Sequence, residues 1–129
     1  MSALLLDTHV VLWWLGDHPR LSDEVREAVG GAEAVHVSAA TTWEVAIKTA
    51  IGKLRLTLPE GSTFPEVCAA QGFDLAPVTH DDTWAVHTLP ASRSDPFDRL
   101  LAASARRRGW TLVTADDAFD DLGVELLRA

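Results

Sequence analysis

The sequence predicts an α/β fold with a mainly parallel central sheet flanked by helices. Short apolar runs of strand length alternate along the chain with longer helical segments, which is typical of parallel sheets. Of the 129 residues, 47% are hydrophobic, and we find no internal repeat, low-complexity tract or long linker. We therefore expect a single domain over residues 1–129.

Periodicity and end signals place the individual elements. Ser22, followed by two acids, is typical of a helix N-cap, and Gly52 and Gly109 close helices. Pro77 moves its strand toward the edge of the sheet. The predicted strands are residues 3–6, 35–37, 73–78, 111–114 and 124–127. The predicted helices are residues 8–15, 22–30, 39–51, 64–71, 81–89, 96–108 and 117–122, with 54–58 as an extended loop.

The bulk composition limits the classes of function. A net charge of −8 argues against a broad nucleic-acid-binding surface, although not against nucleic acid as a substrate. Cys68 is the one cysteine, so a disulfide framework is excluded and a packing role is expected. No apolar run approaches the ~18 residues of a membrane span, and the N-terminal pattern is not that of a signal peptide. We expect a soluble, cytoplasmic protein.

Four carboxylates occupy positions where a charge needs a partner. Asp7 directly follows the first predicted strand, and Asp116 follows the strand at residues 111–114. Because parallel strands end at the same edge of a sheet, Asp7 and Asp116 are expected to lie together. Glu44 has apolar neighbours in its helix, and Asp98 precedes an apolar run in another.

Each acid also has a purely structural interpretation. Asp7 and Asp116 can cap the helices that follow them, and Glu44 can pair with Lys48 one turn away. The set is more informative than its members, because crowded carboxylates repel unless a cation joins them. Oxygen ligands suit Mg²⁺ or Mn²⁺ rather than zinc. Such a site can activate a water molecule against a phosphodiester bond.

Three further residues are accessory candidates. Ser94 or Asp95 caps the longest helix. Thr114 either orients water or phosphate, or is an ordinary β-branched strand residue. Arg99 either approaches an RNA phosphate or pairs with a neighbouring acid, and we expect the pairing.

The tryptophans and histidines give weaker signals. The five tryptophans could stack unpaired bases. Trp13, Trp14 and Trp43 lie in apolar helices, so packing in the core or in a dimer is expected. Trp110 is expected in the core, and Trp84 is left undecided. The histidines show no regular metal-ligand spacing, and none is assigned as a ligand.

Four motifs together resemble the PIN-domain ribonucleases, specifically the VapC-type toxins of toxin–antitoxin pairs. They are Leu-Leu-Asp-Thr-His at 5–9 with Trp-Trp-Leu at 13–15, the segment 38–48 with its Trp-Glu-Val-Ala-Ile-Lys core, Asp-Pro-Phe-Asp-Arg-Leu-Leu-Ala-Ala at 95–103, and Leu-Val-Thr-Ala-Asp at 112–116. They occur in order over essentially the whole chain. The Asp-Pro-Phe-Asp-Arg block is distinctive of one branch of that family.

In this branch Asp95 is an extra acid, expected first as a helix cap and second as an accessory ligand. The resemblance implies a PIN-like sandwich and a Mg²⁺- or Mn²⁺-dependent endoribonuclease. It implies that Asp7 is the strand-end metal ligand, Glu44 the acid on a helix, Asp98 the acid before the apolar run, and Asp116 the fourth and least constant position. It also implies a homodimer held by a cognate antitoxin that blocks the site, with DNA contacted only through that antitoxin. No membrane partner is expected.

Three alternatives compete with this interpretation. A haloacid dehalogenase-type phosphatase needs a second aspartate two residues after the first, where this chain has His9. A receiver-type phosphoacceptor domain needs adjacent acids after the first strand and a lysine after the last. A PIN-like module used only for binding would keep the fold without the chemistry, and retention of all four acids argues against it.

Overall fold

Five strands form one all-parallel sheet in the computed structural model, which describes residues 3–90 and 95–129. The strands are β1 (Ala3–Leu6), β2 (Ala34–Ser38), β3 (Asp74–Ala76), β4 (Thr111–Thr114) and β5 (Leu126–Arg128), and their spatial order is β3-β2-β1-β4-β5. The predicted fold class is confirmed. Pro77 directly follows β3, which lies at an edge of the sheet, as the sequence predicts.

Six α-helices within the described residues flank the sheet. They are α1 (Thr8–Leu15), α2 (Asp23–Gly31), α3 (Ala39–Ala50), α4 (Phe64–Ala70), α5 (His80–Ala85) and α6 (Pro96–Arg108). Two predicted helices are shorter than expected. The helix predicted over 81–89 is α5 followed by a 3-10 turn, and the one predicted over 117–122 is only the 3-10 turn Asp117–Phe119. A capping box at Thr79 begins α5 at His80, one residue before the predicted start.

The leucines of β1 are divided between two hydrophobic cores. Leu4 and Leu6 face one core and Leu5 faces the other, because successive strand residues point to opposite sides of the sheet. The first core is covered by α1, α2 and α4. The second is covered by α6, whose buried residues include Leu101 and Ala105. The result is a helix–sheet–helix sandwich.

The strand order creates a cleft beside β1. The chain runs from β1 outward to β2 and β3 on one side, then returns to β4 and β5 on the other. In doubly wound sheets, the crevice where this direction reverses lies beyond the carboxyl ends of the two central strands. Here those strands are β1 and β4, joined past their ends by a hydrogen bond from the Asp7 amide to the Val113 carbonyl (2.9 Å).

Cys68 is buried in the first core, and burial raises the pKa of its thiol to about 11. It therefore stays protonated at neutral pH, which confirms the expected packing role. None of the helices in residues 3–90 and 95–129 combines the length and the apolar character that a membrane crossing requires.

Candidate functional site

Thr114 connects the two aspartates that follow β1 and β4. Its hydroxyl donates to Asp7 Oδ2 (2.8 Å) and accepts from the backbone amide of Asp116 (3.0 Å), and the residue is fully buried. The hydroxyl proton is thus committed to a carboxylate. Thr114 therefore orients Asp7 directly, and the role toward water or phosphate considered from the sequence stays a prediction.

Asp7 both caps a helix and lines the cleft, so its structural and functional interpretations hold together. Its Oδ1 accepts from the Thr8 amide (2.7 Å), so it caps α1, while the side chain also reaches the cleft. The residue is only 4% exposed. Burial raises the pKa of Asp7 above its ordinary value, and hydrogen bonds from Thr114 and the Thr8 amide act in the opposite direction. A nearby cation would therefore be favourable.

Glu44 projects from α3 toward the same cleft and is held at both carboxylate oxygens. Oε1 accepts from the Thr8 hydroxyl (2.6 Å), and Oε2 accepts from Lys48 Nζ (2.9 Å). The pairing with Lys48 that the sequence suggested is thus present. The hydrogen bond to Glu44 raises the pKa of Lys48, and the charges of Asp95 and Asp98 add to this.

Asp95 and Asp98 begin α6 beside these groups. Asp95 is the N-cap, and its Oδ1 accepts from the Asp98 amide (3.0 Å). Asp98 is half-buried, and its pKa is raised to about 7. Burial is the largest cause, followed by the charges of Asp95, Asp7, Asp116 and Glu44. Asp98 therefore lies within electrostatic reach of the other four acids.

All the predicted acids line one pocket of about 100 Å³. Its lining comprises five acids, Asp7, Glu44, Asp95, Asp98 and Asp116, together with Thr8, His9 and Lys48. Among the described residues of this lining Lys48 is the one amine, and the five carboxylates outnumber it. The fold thus brings together acids that lie far apart in the sequence. Two of them follow β1 and β4, and the others belong to α3 and to the start of α6.

The donor chemistry of the pocket suits a hard divalent cation, because it offers carboxylate oxygens and a deficit of positive charge. Among residues 3–90 and 95–129, however, no three His, Cys, Asp or Glu side chains already form a metal-binding group. Without a bound cation, mutual repulsion favours larger distances between these carboxylates. A cation that keeps most of its waters needs only one or two direct carboxylates, so this arrangement remains compatible with Mg²⁺.

One sequence prediction at the site is wrong, and a second loses one of its two alternatives. Arg99 was expected to pair with an acid, but Nη1 donates to the Pro90 carbonyl (3.0 Å), and no acid of the described ranges forms an ion pair with it. It follows Asp98 by one residue, and consecutive helix residues face different directions. Trp43 was expected to pack in the core, but it is 61% exposed and contacts Phe97. Its alternative, packing in a dimer, stays a prediction. Ser94, the other suggested cap, lies outside the described residues.

Two other residues, Thr8 and His9, could not be placed from the sequence, whereas Trp110 packs against the second core. Thr8 anchors Glu44, and the only available signal was a hydroxyl beside Asp7. His9 lines the pocket, although spacing gave no reason to select it. Trp110 is half-buried and stacks on His36 with ring centroids 3.8 Å apart, which agrees with its expected packing role.

We predict that Thr114→Val lowers the free energy of unfolding by about 1–3 kcal/mol, because the Asp116 amide and one oxygen of Asp7 lose a buried partner. Urea denaturation at neutral pH measures the effect. Thr111→Val, on the same strand, is the matched control, since no hydrogen bond of the Thr111 side chain is found within the described residues. Equal stability losses in the two variants would contradict the prediction.

Comparison with known proteins identifies the family. Residues 4–125 match the PIN domain family. Ribonuclease VapC22 of Mycobacterium tuberculosis (strain ATCC 25618 / H37Rv) is 32% identical over 117 residues, which cover 90% of this chain and 88% of that protein. VapBC2 from Rickettsia felis, solved bound to a DNA fragment from their promoter, gives a TM-score of 0.70 at 14% identity, covering 99% of both chains.

A second solved structure has the same fold. VapBC-5, a member of the VapBC family of toxin-antitoxin systems from Mycobacterium tuberculosis, gives a TM-score of 0.64 at 20% identity over 100% of both chains. The sequence match extends over nearly the whole chain and includes every acid of the pocket. The chain therefore belongs to the PIN domain family, as a VapC-type member.

Proposed function

We propose that this protein is a metal-dependent endoribonuclease that acts as the toxin of a toxin–antitoxin pair. The observation that carries the proposal is the convergence of Asp7, Glu44, Asp98 and Asp116 on one pocket at the carboxyl ends of β1 and β4. The identity to a ribonuclease over most of the chain supports RNA as the substrate. The fold alone would not, since one fold hosts many activities.

Asp7, Asp98 and Asp116 are the residues that would hold Mg²⁺, with Mn²⁺ as a possible substitute and Glu44 acting directly or through water. When bound, the cation would supply a low-pKa water as nucleophile and stabilise charge on the leaving oxygen. No nucleophile from the protein is then required. Burial and, after it, repulsion by the other acids raise the pKa of Asp98, and a divalent cation would offset both effects, which supports cation binding.

The surrounding residues position these acids. Thr114 and the Thr8 amide fix the two oxygens of Asp7, and the Thr8 hydroxyl and Lys48 fix those of Glu44. Such preorganisation reduces the reorganisation that a reaction must drive. Asp95 holds the first turn of α6 as its N-cap, and thereby places Asp98.

A cognate antitoxin and a second copy of the chain are the proposed protein partners. The similar structures come from VapBC toxin–antitoxin systems, one of them bound to promoter DNA. We propose that the antitoxin blocks the acidic pocket and makes the DNA contacts. The net charge of −8 supports a toxin that does not bind DNA by itself.

Purified protein, separated from any antitoxin, should cleave RNA in Mg²⁺ or Mn²⁺ and lose this activity in EDTA. Asp7→Asn should abolish cleavage, because it removes the charge of the most buried acid of the pocket. Asp74→Asn is the matched control, since Asp74 is an exposed acid at the amino end of edge strand β3. Gel analysis of the discrete products formed from total RNA measures cleavage. Circular dichroism checks that the variants are folded to the same extent as the parent protein.

Two results would contradict the proposal. One is cleavage that is unchanged in Asp7→Asn, which would place the activity elsewhere or in a contaminant. The other is the absence of cleavage of any RNA class by folded, metal-supplied protein. The second result would favour the alternative of a PIN-like module that only binds.

A further inference from the structure

A larger cavity, of about 400 Å³, adjoins the acidic pocket. The two share Asp7, His9 and Asp116, so a molecule in one reaches the other directly. The cavity extends beyond the acids to Trp13 and Arg20. Its volume is within the range of small-molecule sites, which start at roughly 300 Å³. Neither Trp13 nor Arg20 has a role in the acid cluster described above.

The wall of this cavity is aromatic. His9 and Trp13 are four residues apart on α1 and therefore lie on one face, with ring centroids separated by 6.3 Å. Trp13 also stacks on His18 at 5.6 Å, with 22° between the ring planes. Trp13 is half-buried against the first core. A large, fixed ring thus lines a cavity beside the acids.

Arg20 adds positive charge to this wall. Its Cζ lies 5.1 Å from the centroid of the Trp13 ring, and within residues 3–90 and 95–129 its guanidinium forms no ion pair. By contrast, Arg26, Arg107 and Arg108 each bind a carboxylate. Arg20 is therefore a cation that is available to a phosphate, in a cavity whose other charged residues are acids.

The loop that carries His18 and Arg20 is held in place by Arg26. The Arg26 side chain donates to Asp17 Oδ1 (2.7 Å), the His18 carbonyl (2.8 Å) and the Leu21 carbonyl (3.3 Å). The Arg20 amide also donates to His18 Nδ1 (3.0 Å). These bonds fix the backbone on both sides of Arg20, so its side chain starts from a defined point beside Trp13.

We propose that this cavity is a nucleotide subsite, in which an unpaired RNA base stacks on Trp13 in place of the exposed Arg20 guanidinium, and the displaced guanidinium binds a backbone phosphate. The inference rests on the proposed function and deepens it by stating how substrate is held beside the acids. Single-stranded RNA is recognised by stacking of splayed bases on aromatic rings and on guanidinium planes. Proteins that bind single strands add a positive charge that follows the backbone.

The subsite also addresses an electrostatic difficulty of the acidic pocket. Five carboxylates repel the phosphates of RNA, and Lys48 is engaged by Glu44. A base that stacks on Trp13 contributes affinity without charge, and Arg20 attracts a phosphate outside the acid cluster. Substrate can then be retained at the site without depending wholly on the cation. The enzyme is therefore expected to prefer unpaired nucleotides next to the cleaved bond.

Binding of a fluorescein-labelled single-stranded RNA oligonucleotide, followed by anisotropy, tests the proposal. Ca²⁺ replaces Mg²⁺ in this assay. It is also a hard divalent cation, but its coordination geometry is unsuited to chemistry that requires Mg²⁺. Trp13→Ala and Arg20→Ala should each weaken binding by roughly tenfold, and Trp13→Phe should recover most of the loss. Trp84→Ala and Arg106→Ala are matched controls, since both residues are exposed and lie outside the cavity.

A duplex of the same sequence distinguishes stacking from general attraction. Paired bases cannot stack on Trp13, so the difference between the parent protein and Trp13→Ala should disappear with the duplex. An equal loss with both RNAs would overturn the subsite in favour of a nonspecific surface effect. Arg20 is exposed, so Arg20→Ala tests the proposal even if Trp13→Ala does not fold.

The outcomes separate this inference from the proposed function. Cleavage by the parent protein, with RNA affinity in Trp13→Ala and Arg20→Ala equal to that of the controls, overturns the subsite alone. Binding that depends on Trp13 and Arg20, without cleavage, supports the subsite and contradicts the nuclease. No RNA binding by the folded parent protein overturns the subsite.

Discussion

Asp98→Asn is expected to abolish RNA cleavage and, in the absence of metal, to make the protein more stable. The two effects have one origin. Asp98 is forced to share a pocket with four other acids, and its pKa is raised to about 7. Loss of a cation ligand should reduce cleavage on the order of a hundredfold or more. Loss of the same charge removes repulsion from the folded state.

The gain in stability should depend on pH in a defined direction. The pKa of Asp98 is about 7 in the folded protein, against an ordinary value of 3.8, so the folded state binds the proton more tightly than the unfolded state. Stability contributed by the protonated form is therefore complete below the ordinary value and is lost as the pH rises toward 7. The asparagine variant does not titrate there, and it should exceed the parent by about 2–4 kcal/mol at about pH 8.

Urea denaturation in EDTA, at a series of pH values, measures this difference, and Asp74→Asn serves again as the exposed control. Addition of Mg²⁺ should stabilise the parent protein more than Asp98→Asn, because a ligand stabilises only the state that binds it. A variant that is less stable than the parent at alkaline pH, or that responds equally to Mg²⁺, would show that Asp98 is not part of a repulsive cation site.

Elements whose start and end signals are local could be predicted from the sequence. Helix α6 shows this, because Asp95 caps it, Pro96 occupies its first turn, and Gly109 ends it with a left-handed φ of 71°. The order of the strands could not be predicted in the same way. It depends on pairings between distant segments, such as β1 with β4, which no local residue pattern encodes.

The site was predictable to the same extent. Asp7 and Asp116 could be placed together because each follows a parallel strand. The bond between Thr8 and Glu44 joins residues 36 positions apart and follows from how α1 packs near α3. Arg99 and Trp43 were misplaced for a related reason. Local composition tells that a helix is apolar or charged, but the direction of each side chain is set by the elements packed against it.

Asp82 is the buried charge that the sequence analysis did not select, and it connects α5 to the end of α6. The residue is fully buried. Its Oδ1 accepts from Arg107 Nη2 (2.8 Å), and its Oδ2 accepts from Arg108 Nη2 (2.6 Å) and the Thr79 amide (3.0 Å). Arg107 and Arg108 belong to the run of three arginines in the last turn of α6.

The pKa of Asp82 is held below its ordinary value. Burial alone would raise it, but hydrogen bonds from Arg108, the Thr79 amide and Arg107 outweigh burial. A carboxyl group with a lowered pKa stabilises the folded protein at pH values above its ordinary pKa of 3.8. This contribution is lost as the pH falls through the pKa that the group has in the folded protein. Asp82 thus has the opposite pH dependence to Asp98.

We therefore expect Asp82→Asn to lower the free energy of unfolding by roughly 3–5 kcal/mol at neutral pH, because two arginines lose their shared buried partner. The deficit should shrink on acidification, when the carboxyl group of the parent protein is itself protonated. Asp81→Asn, an exposed neighbour on α5, should change stability by no more than about 0.5 kcal/mol. Urea denaturation at neutral and acidic pH measures both. A deficit of Asp82→Asn that matched that of Asp81→Asn would mean that Arg107 and Arg108 find sufficient compensation in water, and that the ion pairs do not hold α5 against α6.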